Sequence, residues 1–178
     1  MRGPRRADLI ASGERGLYAG FGFVALAAVG LWTALLTSDF SLRYVASFTS
    51  ANLPVVYKIS AFWGGQAGSM LFWCLILAGY AALATWSNRG KNRALMPWVT
   101  GTNAAVLLFF LATTALASNP FERLEWVPAD GRGLNPQLQN PAMAIHPPML
   151  YLGYVATAIP FGFAVAALVT RRLDAEWL

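Results

Sequence analysis

Charged residues are missing from long stretches of this chain. Residues 16–37 form a run of 22 uncharged positions. As a helix rising about 1.5 Å per residue, that run covers roughly 33 Å, enough for a hydrocarbon core of about 30 Å. Three further apolar stretches follow, at about 67–86, 98–118 and 149–170. Each is too long for a buried strand or an ordinary core helix. The pattern predicts an all-α polytopic integral membrane protein with about four transmembrane helices, organised as one membrane domain over residues 1–178. The link at 87–97 is short, whereas those at 38–66 and 119–148 are long. Long connections in a packed bundle are usually functional or disordered. These two carry Phe40, Tyr44, Phe48, Trp63, Phe121 and Trp126, too many aromatics for disorder. They are therefore expected to be ordered, to carry short surface helices, and to hold whatever chemistry the chain has.

Charge changes the picture in one respect, orientation. The chain has 13 Lys and Arg against 8 Asp and Glu, a net charge of +5, and only 12% charged residues, about half the share of a soluble domain. The basic residues flank apolar segments, which points to membrane topology and not to nucleic acid. Nine lie on one side: Arg2, Arg5, Arg6, Arg15, Arg89, Lys91, Arg93, Arg171 and Arg172. Four lie on the other: Arg43, Lys58, Arg123 and Arg132. The positive-inside rule then puts both termini in the cytoplasm and both long connections outside an inner (cytoplasmic) membrane. The first apolar segment exceeds the usual 7–15 residue core of a signal peptide and reads as a retained anchor.

Few side chains offer chemistry. With one Cys and one His, the chain forms no internal disulfide and no two-histidine metal site by itself. Cys74 reads as a packing residue. His146 precedes Pro147 and Pro148. A residue before proline is pushed toward extended backbone, and the prolines suit the first turn of the fourth span. An imidazole held at the mouth of a membrane helix suits an axial ligand to haem iron or a proton acceptor; an ordinary hydrated surface histidine is the plain alternative. Asn135-Pro136 and Asn140-Pro141 are helix-start signatures. Asp130-Gly131-Arg132-Gly133 reads as a solvated turn, although Arg132 or Arg123 could pair with an anion such as a haem propionate. Gly64, Gly65 and Gly68 let a second backbone or a flat ligand approach. Trp63 could lie against that ligand or belong to an aromatic belt. Pro160 should kink the fourth span.

The words are also familiar as words. Asp130-Gly131-Arg132-Gly133-Leu134-Asn135-Pro136-Gln137-Leu138-Gln139-Asn140-Pro141, continuing through His146-Pro147-Pro148-Met149-Leu150-Tyr151-Leu152-Gly153-Tyr154, closely resembles the CcmF/NrfE family of cytochrome c-type biogenesis proteins. Leu53-Pro54-Val55-Val56-Tyr57-Lys58 and Trp63-Gly64-Gly65-Gln66-Ala67-Gly68-Ser69 match in order, within a resemblance running from about residue 34 to 174. The resemblance implies a haem lyase that attaches haem covalently to apocytochrome c at the outer face. Haem b is its ligand and substrate, and its partners are a haem chaperone, apocytochrome c, other maturation subunits and membrane lipid. It implies His146 as an axial ligand of haem iron; Arg132, Trp63 and Trp126 are further candidates for haem contact by residue type, apart from the resemblance. Family members are several times longer and carry a Trp-rich outer segment and more histidines. The resemblance thus implies a fragment, or one part of a protein split across genes, not active alone. Two other readings stay open. One is a scaffold that docks the remaining lyase part or the apocytochrome; the other is a small-solute transporter module, for which no charged or broken-helix midplane site is apparent.

Overall fold

The computed structural model describes residues 4–172. Arg2, used above for orientation, and the C-terminal stretch carrying Asp174 lie outside those residues. The described chain is almost wholly helical: α1 (Pro4–Thr37), α2 (Arg43–Phe48), α3 (Val55–Ser60), α4 (Gln66–Ser87), α5 (Met96–Ala117), α6 (Pro141–Ala156) and α7 (Ala158–Thr170), with short 3-10 turns at Ala61–Trp63 and Pro136–Leu138. Four helical stretches are long and apolar enough to cross a membrane: Asp8–Thr37, Gln66–Ser87, Met96–Ala117 and Pro141–Thr170.

The second and third fall within two residues of the expected spans. The first and fourth run further, for different reasons. Charge ends a hydrocarbon crossing but does not end a helix, since Arg and Glu are good helix formers. Hence α1 continues back through Arg15 and Glu14 to Pro4. The fourth span does not start at its twin prolines. Asn140 caps α6 by accepting from the Ala142 N–H at 2.9 Å, and Pro141 takes the first helical position. His146, Pro147 and Pro148 therefore sit inside the helix and not at an extended entrance. The prolines remove donors to the carbonyls of Met143 and Ala144, yet the helix capped at Asn140 reads through them. Pro160 interrupts as expected. Its ring would clash with the Ala156 carbonyl, and the helix breaks at Thr157, separating α6 from α7.

α4 is the hub, packing against α1, α5 and α6, while α7 packs mainly on α5. The core along α1 and α4 includes Leu31, Leu35, Cys74 and Leu77, all fully buried. A second cluster of Leu95, Met96, Val99 and Ala166 joins α5 to α7. Their contact depends on Gly162, where an added Cβ would come within 3.0 Å of Asn103 Nδ2. Without a hydrophobic force between helices in lipid, such small residues are what permit close backbone approach. Gly162→Leu should therefore pry α7 from α5 and cost about 1–3 kcal/mol, read as a lower unfolding midpoint of the chain in detergent micelles.

Candidate functional site at the loop end

The two long connections fold together over one end of the bundle. α2 supplies the anchor. The Tyr44 phenolic oxygen lies 2.9 Å from the carbonyl oxygens of both Ala61 and Phe62 and accepts from the Gly65 N–H at 3.1 Å. Burial pushes its pKa well up. The glycine-rich stretch exists for this ring and its neighbour. A Cβ on Gly65 would strike the Phe48 ring, and one on Gly68 would strike the Phe62 carbonyl and the Tyr44 hydroxyl. Gly64 meets Leu134 in the same way, at 2.8 Å. The close approach these glycines allow is thus taken up by the chain's own side chains.

The second connection is bound to the first mainly through backbone. Leu42 and Arg123 form an antiparallel bridge, with Arg43 N–H donating to Glu122 O at 2.8 Å and Leu124 N–H to Ser41 O at 2.9 Å. Asp130 and Arg132 are exposed, as expected of a solvated turn, but the 130–133 segment is also tied to the first connection. Asp130 Oδ1 accepts from Ala51 N–H at 2.8 Å. Arg132 N–H donates to Ala46 O at 2.8 Å and Gly133 N–H to Thr49 O at 3.0 Å, which uses up the carbonyls at the end of α2. Gly131 sits so close that a Cβ would hit Thr49 O, and Gly133 has φ +81°. Nearby, hydrogen bonds from the Ser41 hydroxyl and N–H hold the Asp39 carboxyl below its ordinary range, with help from Arg123.

The sequence-picked side chains divide into three places. Arg132 and Trp126 share an open groove of about 800 Å³ with Arg43, Arg123 and Glu122. In it, Arg43 and Glu122 pair at 3.1 Å, and Trp126 is 75% exposed. Trp63 is half-buried. Its ring centroid lies 5.2 Å from that of Phe72, which in turn meets Tyr151 of α6 at 5.8 Å. Asn135 accepts from the Gln137 N–H at 3.0 Å, starting the Pro136–Leu138 turn that leads to α6. His146 stands on the second turn of α6. The packed face of that helix runs through Ala144, Pro147, Pro148, Tyr151 and Val155, whereas His146, Met149, Leu150 and Gly153 are exposed on the other side. The imidazole makes no hydrogen bond to a described residue and does not line the Arg132 groove.

Sequence reasoning missed Tyr44, Phe48 and Asp130 as organisers. The signal was there: three glycines within five residues, and an Asp-Gly pair, demand something large or a carbonyl close by.

A bundle of four apolar stretches long enough to span, with its two long connections folded together over one end, is a multi-pass membrane protein. The family model for the cytochrome c assembly protein matches residues 63–178, and the chain belongs to that family. It is 44% identical over 159 residues to the cytochrome c-type biogenesis protein ccl1 of Rhodobacter capsulatus, covering 89% of this chain and 24% of that protein. To the cytochrome c-type biogenesis protein CcmF of Escherichia coli it is 40% identical over 179 residues, 96% of this chain and 27% of the relative. Its fold is similar to the solved cytochrome c haem lyase CcmF, with a TM-score of 0.78 and 28% identity over 94% of this chain and 26% of that one. The chain thus spans about a quarter of the length of the relatives it matches.

Two outcomes follow from this geometry. Tyr44→Phe strands the Gly65 N–H and should lower stability by about 1–3 kcal/mol, whereas Leu36→Ala on the exposed face of α1 should lower it less; thermal unfolding in detergent distinguishes them. Asp39 has a depressed folded pKa, so its contribution is complete above the ordinary carboxylate range and is lost as pH falls through the lowered value. Asp39→Asn should therefore flatten the acid side of the stability–pH profile.

Proposed function

We propose that this chain is the part of a haem lyase that presents His146 to haem iron at the outer face of the bacterial inner membrane. Both termini lie in the cytoplasm, and the connections at 38–66 and 119–148 lie outside. The observation that carries this reading is the state of the imidazole. It is exposed, makes no hydrogen bond to a described residue, and stands on the unpacked face of α6. A ligand must keep a nitrogen lone pair available, and an exposed imidazole with no bond to a described residue does so. Family membership and the similarity to CcmF supply the substrate class.

Haem is substrate here, and its porphyrin vinyl groups supply the reactivity. Each substrate thiol adds across a vinyl double bond, so that S–C and C–H bonds form as the S–H bond and the π bond are lost, with no leaving group and no net redox change. The protein's part is orientation and exclusion of water. His146 would hold the metal, the exposed Met149, Leu150 and Gly153 of α6 would offer the ring an apolar surface, and no side chain of this chain serves as nucleophile. Arg132 and Trp126, together in their own groove, suit a carboxylate and a planar ring. The second axial ligand, the haem chaperone, the apocytochrome and the other maturation subunits are partners outside this chain.

His146→Ala, expressed with its partner subunits, should lower the haem content of the purified complex and the yield of mature cytochrome c by roughly tenfold or more, read from the Soret band and haem-stained gels. Helicity and expression should stay unchanged. Wild-type haem content and cytochrome yield in that variant would overturn the assignment.

A further inference from the structure

α3 lies lower than a water-exposed loop should. The Trp32 indole N–H donates to the Ile59 carbonyl at 3.2 Å. Trp32 stands five residues before the end of α1 at Thr37, about 7.5 Å down the helix axis. Side chains on a helix lean toward its N-terminus, here away from the loop end, so the indole does not climb to meet α3; α3 descends to it. The charge-free run 16–37 is only a few ångström longer than a hydrocarbon core of about 30 Å, which places the level of Trp32 about 5 Å inside the boundary.

The composition of α3 agrees with that depth. Val55, Val56 and Ile59 are exposed at 63%, 59% and 42%, whereas Lys58 and Ser60 are buried. A helix in water shows the opposite distribution. The Lys58 ammonium reaches the Ser38 hydroxyl at 2.6 Å and the Ala51 carbonyl at 3.2 Å, just past the end of α1, as a lysine at a bilayer edge carries its charge toward water. The Ile59 carbonyl gains a donor from Trp32, as backbone in lipid requires. The exposed apolar surface continues on α1 through Val29 and Leu36. Independently, Phe121 of the second connection reaches down to Gly30, whose added Cβ would lie 3.9 Å from its ring.

We propose that α3 is an interfacial helix inserted in the loop-side leaflet, with Val55, Val56 and Ile59 against acyl chains and Lys58 drawn back toward the headgroups. Insertion holds the adjoining Ala61–Trp63 turn at headgroup level. The occupant of this face is lipid.

Ile59→Cys and Val55→Cys, each with Cys74→Ala, are labelled with a small fluorophore in the full chain and placed in phosphatidylcholine nanodiscs; Asn52→Cys in the same background, at an exposed position, is the aqueous reference. At position 59, lipids nitroxide-labelled high on the acyl chain should quench several-fold more than aqueous iodide does, with the order reversed at 52. Iodide quenching at 59 equal to that at 52 overturns the proposal. Protection from both quenchers, meaning that protein covers the face, overturns it too. The unsubstituted chain gives a second readout: an acyl-borne diazirine lipid should leave adducts on the peptide containing 55–59, and their absence alongside adducts elsewhere on α1 also counts against insertion.

Discussion

Tyr44 donates toward the carbonyls of Ala61 and Phe62 and accepts from Gly65 N–H, and the loop end is assembled around that ring. One hydroxyl satisfies backbone groups at the point where the chain passes from α3 through a single 3-10 turn into α4, with too few residues for a regular hydrogen-bond ladder. Because a buried polar group left unmade is more costly than a made bond is stabilising, the ring constrains everything that touches it. Gly65 and Gly68 must lack side chains, Phe48 must stack beside Tyr44 at 4.7 Å, and α2 must present its last carbonyls to Gly133 and Arg132.

That constraint links the two connections. α2 is fixed by its own tyrosine, and the 130–133 turn is fixed by α2. From there the chain has a short, capped route to α6: Leu134 buries beside Gly64, Gln139 ties back to the Leu134 carbonyl at 2.8 Å, and Asn140 starts the helix. The placement of His146 is thus the last step of a sequence of backbone contacts that begins in the first connection. The histidine itself takes no part in packing, which leaves its ring available.

The spans were legible because hydrocarbon admits few charges, and 67–86 and 98–118 needed almost no correction. Helix ends were less so, since α1 runs on through charged residues and α6 begins two turns before its prolines. The Asn-Pro pairs announced their caps correctly. The reading of His146 as lying before an extended entrance failed because a proline forbids a donor, not a helix, and Asn140 had already opened the helix upstream. The glycines told that something approaches but not what. Periodicity records which face is apolar, whereas the partner of a glycine is set by segments far away along the chain, as with Phe48 for Gly65 and Thr49 for Gly131. Lys58, read as one more outer charge, is buried for the same kind of reason.

The interruption at Thr157 gives the fourth crossing two separately fastened halves. α7 is secured to α5 through Gly162, while α6 leans on α4 and is tied there by the Tyr80 hydroxyl donating to the Leu152 carbonyl at 3.0 Å. Thr157 is eleven residues from His146, a lever arm of about 16 Å. A tilt of about 5° at that joint would swing the imidazole by roughly 1.4 Å, about the length of a covalent bond. The height and bearing of the imidazole are therefore set by how α6 is fastened to α4, and not by α7.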